Sequence, residues 1–288
     1  MTVSVSTPGG LAGRGPAGRG GHPAVVGGGP PWAPYSPCAV DCLASEAAAV
    51  GAPLAAFRLI VAAFTVLAVI LIAAAYPFLG ASSRSRVIRR WCQTLLWTFG
   101  VRISTDQAEP ARSGPALVVA NHISWLDVLV LGVVSPGRMV ARADLRGWPV
   151  LGPIAARAGT IFVDRARLSR LPDTVAEVSS ALRSGASVLA FPEGTTWCGA
   201  AAGRFRPALF QAAIDAGVPV EPVSVGYLVG GRPSTVAAFV GEDPLLVSFW
   251  RVARASGLVA EARRHPPLAP DTDRRTLARR AGALVHRL

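Results

Sequence analysis

Beyond residue 100 the apolar positions of the chain fall into short blocks separated by longer amphipathic stretches. Blocks at 101–104, 116–120, 139–141, 160–163, 187–191, 220–225, 236–240 and 258–261 have the length and composition of strands. Between several of them, apolar residues recur at helical spacing over 124–134, 168–183, 207–216, 244–255 and 274–287. Strands alternating with helices predict one α/β domain, a mixed, mostly parallel sheet flanked by helices.

Upstream the pattern changes. Positions 59–83 carry no charge, and 59–78 alone would span roughly 30 Å as a helix, enough for a bilayer core. The stretch predicts an N-terminal membrane helix. A buried helix and a re-entrant or monotopic hairpin are the alternatives, and the run is too long and too far from the start for a cleavable signal peptide. Arg84, Arg86, Arg89 and Arg90 follow it, whereas only Arg58 stands close on its other side. The expected location is therefore the cell membrane, with the C-terminal part facing the cytoplasm. Residues 87–99 fit a helix, either lying on the membrane or packed on the domain. Residues 1–52, rich in glycine and proline and without apolar periodicity, read as a disordered tail. The division is thus 1–52 tail, 53–83 membrane segment and 84–288 folded domain.

Composition sharpens this. All 29 basic residues are arginine against 17 acidic ones, a net charge of +12 that suits nucleic acid or phospholipid as a partner. With 51% hydrophobic and 16% charged residues, wholesale disorder is excluded and a membrane is indicated. Four scattered cysteines exclude a disulfide scaffold. Cys38 and Cys42 suit a pair, a metal ligand set or no role; no second Cys/His pair lies beside them, so neither metal nor cofactor is expected. Phosphate-loop, nucleophile-elbow and zinc-protease motifs are absent. The arginines are dispersed and no recognition motif accompanies them, so nucleic acid is not expected as a partner.

The candidate chemistry sits at Asn121-His122-Ile123-Ser124-Trp125-Leu126-Asp127, where the block 116–120 gives way to a helical pattern. The end of a strand, where the chain turns into a helix, is the usual ligand position of an α/β sheet. With His122 in the turn and Asp127 in the first helical turn, the carboxylate can fix the imidazole tautomer while the other ring nitrogen takes a proton from a hydroxyl. The same spacing also suits a capping box, Ser124 at the cap and Asp127 reaching back, which would make Asp127 structural.

Three further segments follow in order: Gly159-Thr160-Ile161-Phe162-Val163-Asp164-Arg165, then Phe191-Pro192-Glu193-Gly194-Thr195, then Val218-Pro219-Val220-Glu221-Pro222-Val223. Together with the first, they resemble the glycerolipid acyltransferase family, specifically its bacterial 1-acyl-sn-glycerol-3-phosphate acyltransferases, over residues 58–288. The resemblance implies His122 as general base toward the free hydroxyl of a lysophospholipid, with Asp127 orienting it. It implies acyl-CoA or acyl-carrier protein as donor and phosphatidate as product, formed by direct attack on the thioester. Arg165 corresponds to a phosphate ligand, Glu193, Gly194 and Thr195 to acceptor contacts, and residues 218–223 to a donor-binding segment. Where the family continues with arginine after Gly-Thr, this chain has Thr196, so the resemblance passes the charge to Arg206. The same departure keeps another acceptor, such as a lyso-ornithine lipid, open. A non-catalytic protein that binds anionic lipid is the reading from a different class.

Overall fold

The computed structural model describes residues 34–43, 48–73, 80–106, 114–164 and 167–286. Four consecutive apolar residues, Leu117–Ala120, form a strand buried at every position, because helices cover both faces of the sheet it belongs to. Leu117 and Val119 enter one core while Val118 and Ala120 enter the other, as the two-residue period of a strand requires.

The strands are β1 (Arg102–Asp106), β2 (Leu117–Ala120), β3 (Arg138–Arg142), β4 (Ile161–Val163), β5 (Val188–Ala190), β6 (Val220–Val229), β7 (Arg232–Pro233) and β8 (Leu258–Arg264). Their order across the sheet is β1-β8-β6-β2-β5-β3-β4, with β7 on β6. Pairings are parallel except β6 with β7 and β8. This is the predicted mixed, mostly parallel sheet. The helices are α1 (Ala52–Ala73), α2 (Ala81–Thr98), α3 (Leu126–Val134), α4 (Leu151–Arg157), α5 (Leu171–Arg183), α6 (Ala208–Ala216), α7 (Leu245–Arg254) and α8 (Arg274–Val285).

One core joins the sheet to α1, α2, α3 and α7; the other joins it to α5, α6 and α8. Helix α2 lies close on α3 because Gly132 has no side chain, and a Cβ there would stand 2.6 Å from the Cys92 sulfur. The packed reading of residues 87–99 therefore holds for the face carrying Cys92, Leu95 and Leu96, while Trp97 is 74% exposed.

Several expectations are corrected. Residues 236–240 form a buried turn and coil instead of a strand. Their main chain is bonded by Arg251, to the carbonyls of Val236 and Ala238 at 3.0 and 2.8 Å, and by Phe239 N–H to the Ile123 carbonyl at 2.9 Å. These contacts replace a strand ladder. Helix α4 was not visible in the pattern, since Pro149, Gly152 and Pro153 mask its short apolar period. The segment 218–223 leads into β6, a central strand, with Pro222 opposite Val119 of β2.

The tail is also shorter than its composition suggests. Residues 34–43 and 48–51 are packed on the domain: Cys38 is buried, and Val50 N–H bonds the Arg254 carbonyl at 2.8 Å. Residues 1–33 lie outside the described residues. Of the charge-free stretch 59–83, residues 74–79 also lie outside them. Among the described residues no helix is long and apolar enough to cross a membrane. Helix α1 instead turns small residues, Ala55 and Ala62, toward the domain. Its Arg58 guanidinium caps α7 by donating to the carbonyls of Ala253 and Ala255 at 2.7 and 3.2 Å, where the helix dipole favours a cation.

Candidate active site

Strands β2 and β5 run parallel side by side at the centre of the sheet, so the loops after them meet. The loop after β2 carries His122; that after β5 carries Phe191, Glu193 and Gly194. Adjacent strand ends thus unite segments that sequence separates by about seventy positions.

Asn121 fixes the start of the turn. Its side-chain amide donates to the Val225 carbonyl and accepts from Val225 N–H, each at 2.8 Å, extending the pairing of β2 with β6 by one rung made of side-chain atoms. The chain then leaves the sheet at His122. The Asp127 carboxylate is fully buried, and its Oδ2 accepts from His122 Nδ1 at 2.9 Å and from the N–H groups of Ile123 and Ser124 at 2.6 and 2.8 Å. Its Oδ1 accepts from the Tyr227 hydroxyl at 2.5 Å. These charge-assisted bonds offset the cost of burying the carboxylate. Asp127 thus bonds the imidazole of His122 and also satisfies the main chain ahead of α3.

The imidazole is held at its plane as well as its edge. Phe191 stacks on it with centroids 4.0 Å apart and planes 10° from parallel. Since a carboxylate only accepts, Nδ1 is the protonated nitrogen, which leaves the lone pair on Nε2. The side chain is 20% exposed, so the imidazole is reachable from outside.

Glu193 holds the main chain of the same residue. Its carboxylate accepts from His122 N–H at 2.7 Å and Gly203 N–H at 3.0 Å, and lies 3.2 Å from Nε2 of His286 at the end of α8. Only 4% exposed, it braces the two loops. Gly194 has φ +79°, and a Cβ there would stand 2.7 Å from Pro34, so glycine is required on both counts. Thr195 is half-buried in the same loop. Trp197 N–H closes it by donating to the His122 carbonyl at 2.7 Å. The side chain of Arg206 is exposed, with its Nε 3.6 Å from the Gly194 Cβ direction, and its N–H bonds the Pro192 carbonyl at 2.9 Å. The structure thus gathers His122, Asp127, Glu193, Gly194, Thr195 and Arg206 around one turn. Arg165 lies outside the described residues.

Tyr227 was not singled out from sequence. Burial and the Asp127 charge raise its hydroxyl pKa well above the ordinary 10.0, so it remains a donor. The available signal was the alternation of Val223, Val225 and Tyr227 along one face of β6. Asn121 and Phe191 were read only as members of their motifs. A further histidine of the domain, His265, pairs its Nε2 with Ser224 Oγ at 2.6 Å, and that buried hydroxyl donates to the Val285 carbonyl, an arrangement that ties α8 to the sheet.

Comparison with known proteins gives the family and the fold. Residues 102–226 match the family model described as Acyltransferase. Over 206 residues, 70% of this chain and 78% of its relative, the sequence is 37% identical to a lyso-ornithine lipid O-acyltransferase of Pseudomonas aeruginosa. It is 31% identical to a 1-acyl-sn-glycerol-3-phosphate acyltransferase of Neisseria meningitidis, over 59% of this chain and 67% of that one. The crystal structure of the 1-acyl-sn-glycerophosphate acyltransferase of Thermotoga maritima superposes with a TM-score of 0.62 at 20% identity, covering 82% of this chain and 92% of its own, a likeness of fold.

Proposed function

The chain belongs to the glycerolipid acyltransferase family, and from that premise we propose that it moves a fatty acyl group from acyl-CoA or acyl-carrier protein to the free hydroxyl of 1-acylglycerol-3-phosphate, giving phosphatidate. The observation that carries the reading is the imidazole of His122, fixed in one tautomer by a buried carboxylate and held in plane by Phe191. An alkoxide is too basic to form free at neutral pH, so proton removal by Nε2 is concerted with attack of the hydroxyl oxygen on the thioester carbonyl. The tetrahedral oxyanion then collapses, the carbon–sulfur bond breaks, and the departing thiolate takes the proton from the imidazolium. Asp127 balances the imidazolium charge throughout. No covalent acyl-enzyme is needed.

Arg206, beside Gly194, supplies charge for the acceptor phosphate, with Arg165 as its partner. A second acceptor is favoured by two observations: Thr196 stands where the family has arginine, and several relatives are lyso-ornithine lipid acyltransferases. The headgroup there carries no phosphate monoester.

The lysolipid is amphiphilic, and the protein offers an apolar surface to meet it. Leu54, Phe57, Ile60, Phe64 and Leu67 recur three or four apart along α1, and each is exposed, Phe64 by 66%. We place this stripe in the cytoplasmic leaflet of the cell membrane, with the α/β domain on the cytoplasmic side where Arg84, Arg86, Arg89 and Arg90 meet anionic lipid.

The test is an acyl-transfer assay on the full chain in detergent, with labelled acyl-CoA or acyl-carrier protein and a panel of lysolipids. Labelled phosphatidate is the expected product. Preference for the lyso-ornithine lipid moves the assignment to the second acceptor, and transfer to no lysolipid overturns the enzyme reading.

A further inference from the structure

The sulfur atoms of Cys38, Cys42 and Cys198 all lie within 4.8 Å of one another, although the third comes from the loop after β5, far from the first two in sequence. Cys38 stands two residues ahead of a 3₁₀ turn, Val40–Cys42, that ends on Cys42, and this turn separates the two thiols by only four positions. Cys38 and Cys198 are buried and Cys42 is exposed. We propose that these three thiols bind one thiophilic cation of the zinc class, and that the bound ion clamps the 34–43 segment onto the catalytic loops.

The dimensions suit such an ion. Were every separation at the 4.8 Å limit, the common centre would lie ~2.8 Å from each sulfur; a zinc–thiolate bond is ~2.3 Å, so a contraction of about half an ångström forms the site. A disulfide accounts for the cluster less well, because it consumes two sulfurs and leaves the third without a function. The Cys198 N–H donates to the Cys38 sulfur at 3.4 Å, the kind of contact that stabilises thiolate charge at a metal centre. On binding, each thiol releases its proton to solvent, and no electron is transferred. The exposed side, at Cys42, leaves the fourth tetrahedral position to water.

The site bears on the active centre through its neighbours. Cys198 directly follows Trp197, whose N–H bonds the His122 carbonyl. Pro34, four residues before Cys38, fills the space above Gly194, and the Cys38 carbonyl and Ala39 lie against Gly241. That glycine closes the buried coil that bonds Ile123 through Phe239. The ion would therefore tie the two loops flanking His122 to a single short strap. From sequence the strap was read as part of a tail and its cysteine pair as isolated, because the third ligand becomes adjacent only in the fold.

The experiment uses the full chain in detergent, purified anaerobically with a non-thiol reductant and stripped of metal by a chelator. Titration with Co²⁺ should give the intense thiolate-to-cobalt absorption and the visible bands of a tetrahedral centre, saturating at one ion per chain and displaced by Zn²⁺. Cys42→Ser, at an exposed position that leaves the fold intact, should lose the tetrahedral three-sulfur signature, and Cys198→Ser should lose it too, whereas Cys92→Ala should retain it. Zn²⁺ should also slow hydrogen exchange across residues 34–43 in the parent and not in Cys42→Ser. A Cys38–Cys198 or Cys38–Cys42 disulfide in the reductant-treated protein, or three free thiols that give no cobalt signal, overturns the proposal. Neither readout requires acyl transfer, so the result is independent of the reaction assigned above.

Discussion

Tyr227 and Asp127, a hundred positions apart in sequence, are joined by a 2.5 Å hydrogen bond that places a buried hydroxyl on the one carboxylate oxygen the histidine does not use. The His122–Asp127 pair is thus backed by a strand on the far side of the carboxylate. Removing the hydroxyl with Tyr227→Phe should cost ~1.5–3 kcal/mol of stability, the range for a bond to a charged group, and lower kcat much less than loss of Asp127 does. The hydroxyl's folded pKa is raised above its unfolded value near 10.0, so its contribution is fully present below that pH and is lost as pH rises further. Melting curves above pH 10.0 should therefore fall more steeply for the parent than for Tyr227→Phe. Parallel curves would show that the hydroxyl is not coupled to the carboxylate.

His122→Ala should lower kcat by ~10²–10⁴ while leaving the melting temperature close to that of the parent. Asp127→Ala should do comparable damage to turnover and in addition lose stability, because it orphans the N–H groups of Ile123 and Ser124. Base and orienter act as a unit, so turnover in the double mutant should be little worse than in His122→Ala. Near-parent turnover in His122→Ala would remove His122 from the mechanism.

Glu193→Ala should destabilise the protein by ~1–3 kcal/mol for each N–H it strands, those of His122 and Gly203, and should reduce kcat with little change in KM for the donor. Glu193→Gln keeps an acceptor oxygen and should recover part of both losses. If Glu193→Ala instead raises only the acceptor KM and leaves the melting temperature alone, the residue contacts the lysolipid directly.

Arg206→Lys keeps the charge but loses the forked geometry, and should raise the KM for lysophosphatidate while sparing that for acyl-CoA. Thr196→Arg, which restores the family pattern, should be tolerated and should rescue Arg206→Ala. Arg165→Lys should behave as Arg206→Lys does. Unchanged use of lysophosphatidate by both alanine variants would exclude the two arginines as phosphate ligands.

Replacing Phe57 and Phe64 with serine should shift the full chain from the membrane to the soluble fraction, since those two rings are 62% and 66% exposed on α1. Unaltered fractionation would mean that this stripe does not hold the protein to the bilayer.

The sheet and the chemistry were legible from sequence to different depths. Leu117–Ala120 and the helical period after it could be read because every side chain there is buried on a regular lattice. The coil at 236–240 could not, since an apolar run carries no sign that Arg251 will satisfy its carbonyls. His122 and Asp127 were recognisable through local spacing. Tyr227, Asn121 and the third cysteine were not, because their significance comes from the adjacency of β2, β5 and β6, a long-range property that no window of sequence contains. Arg58 shows the same limit: one charge at the edge of an apolar run looked like a flank of a membrane segment, yet its partners lie on α7.

His122 is held by two carboxylates from opposite ends of the assembly, its ring by Asp127 and its main chain by Glu193. The segment through Asp127 holds both side chains of the pair, yet the carboxylate that braces the turn and the phenol behind Asp127 come from far later in the sequence. The turn therefore depends on β5 beside β2 and on β6 through Tyr227, so its geometry belongs to the closed central sheet and not to the local segment alone.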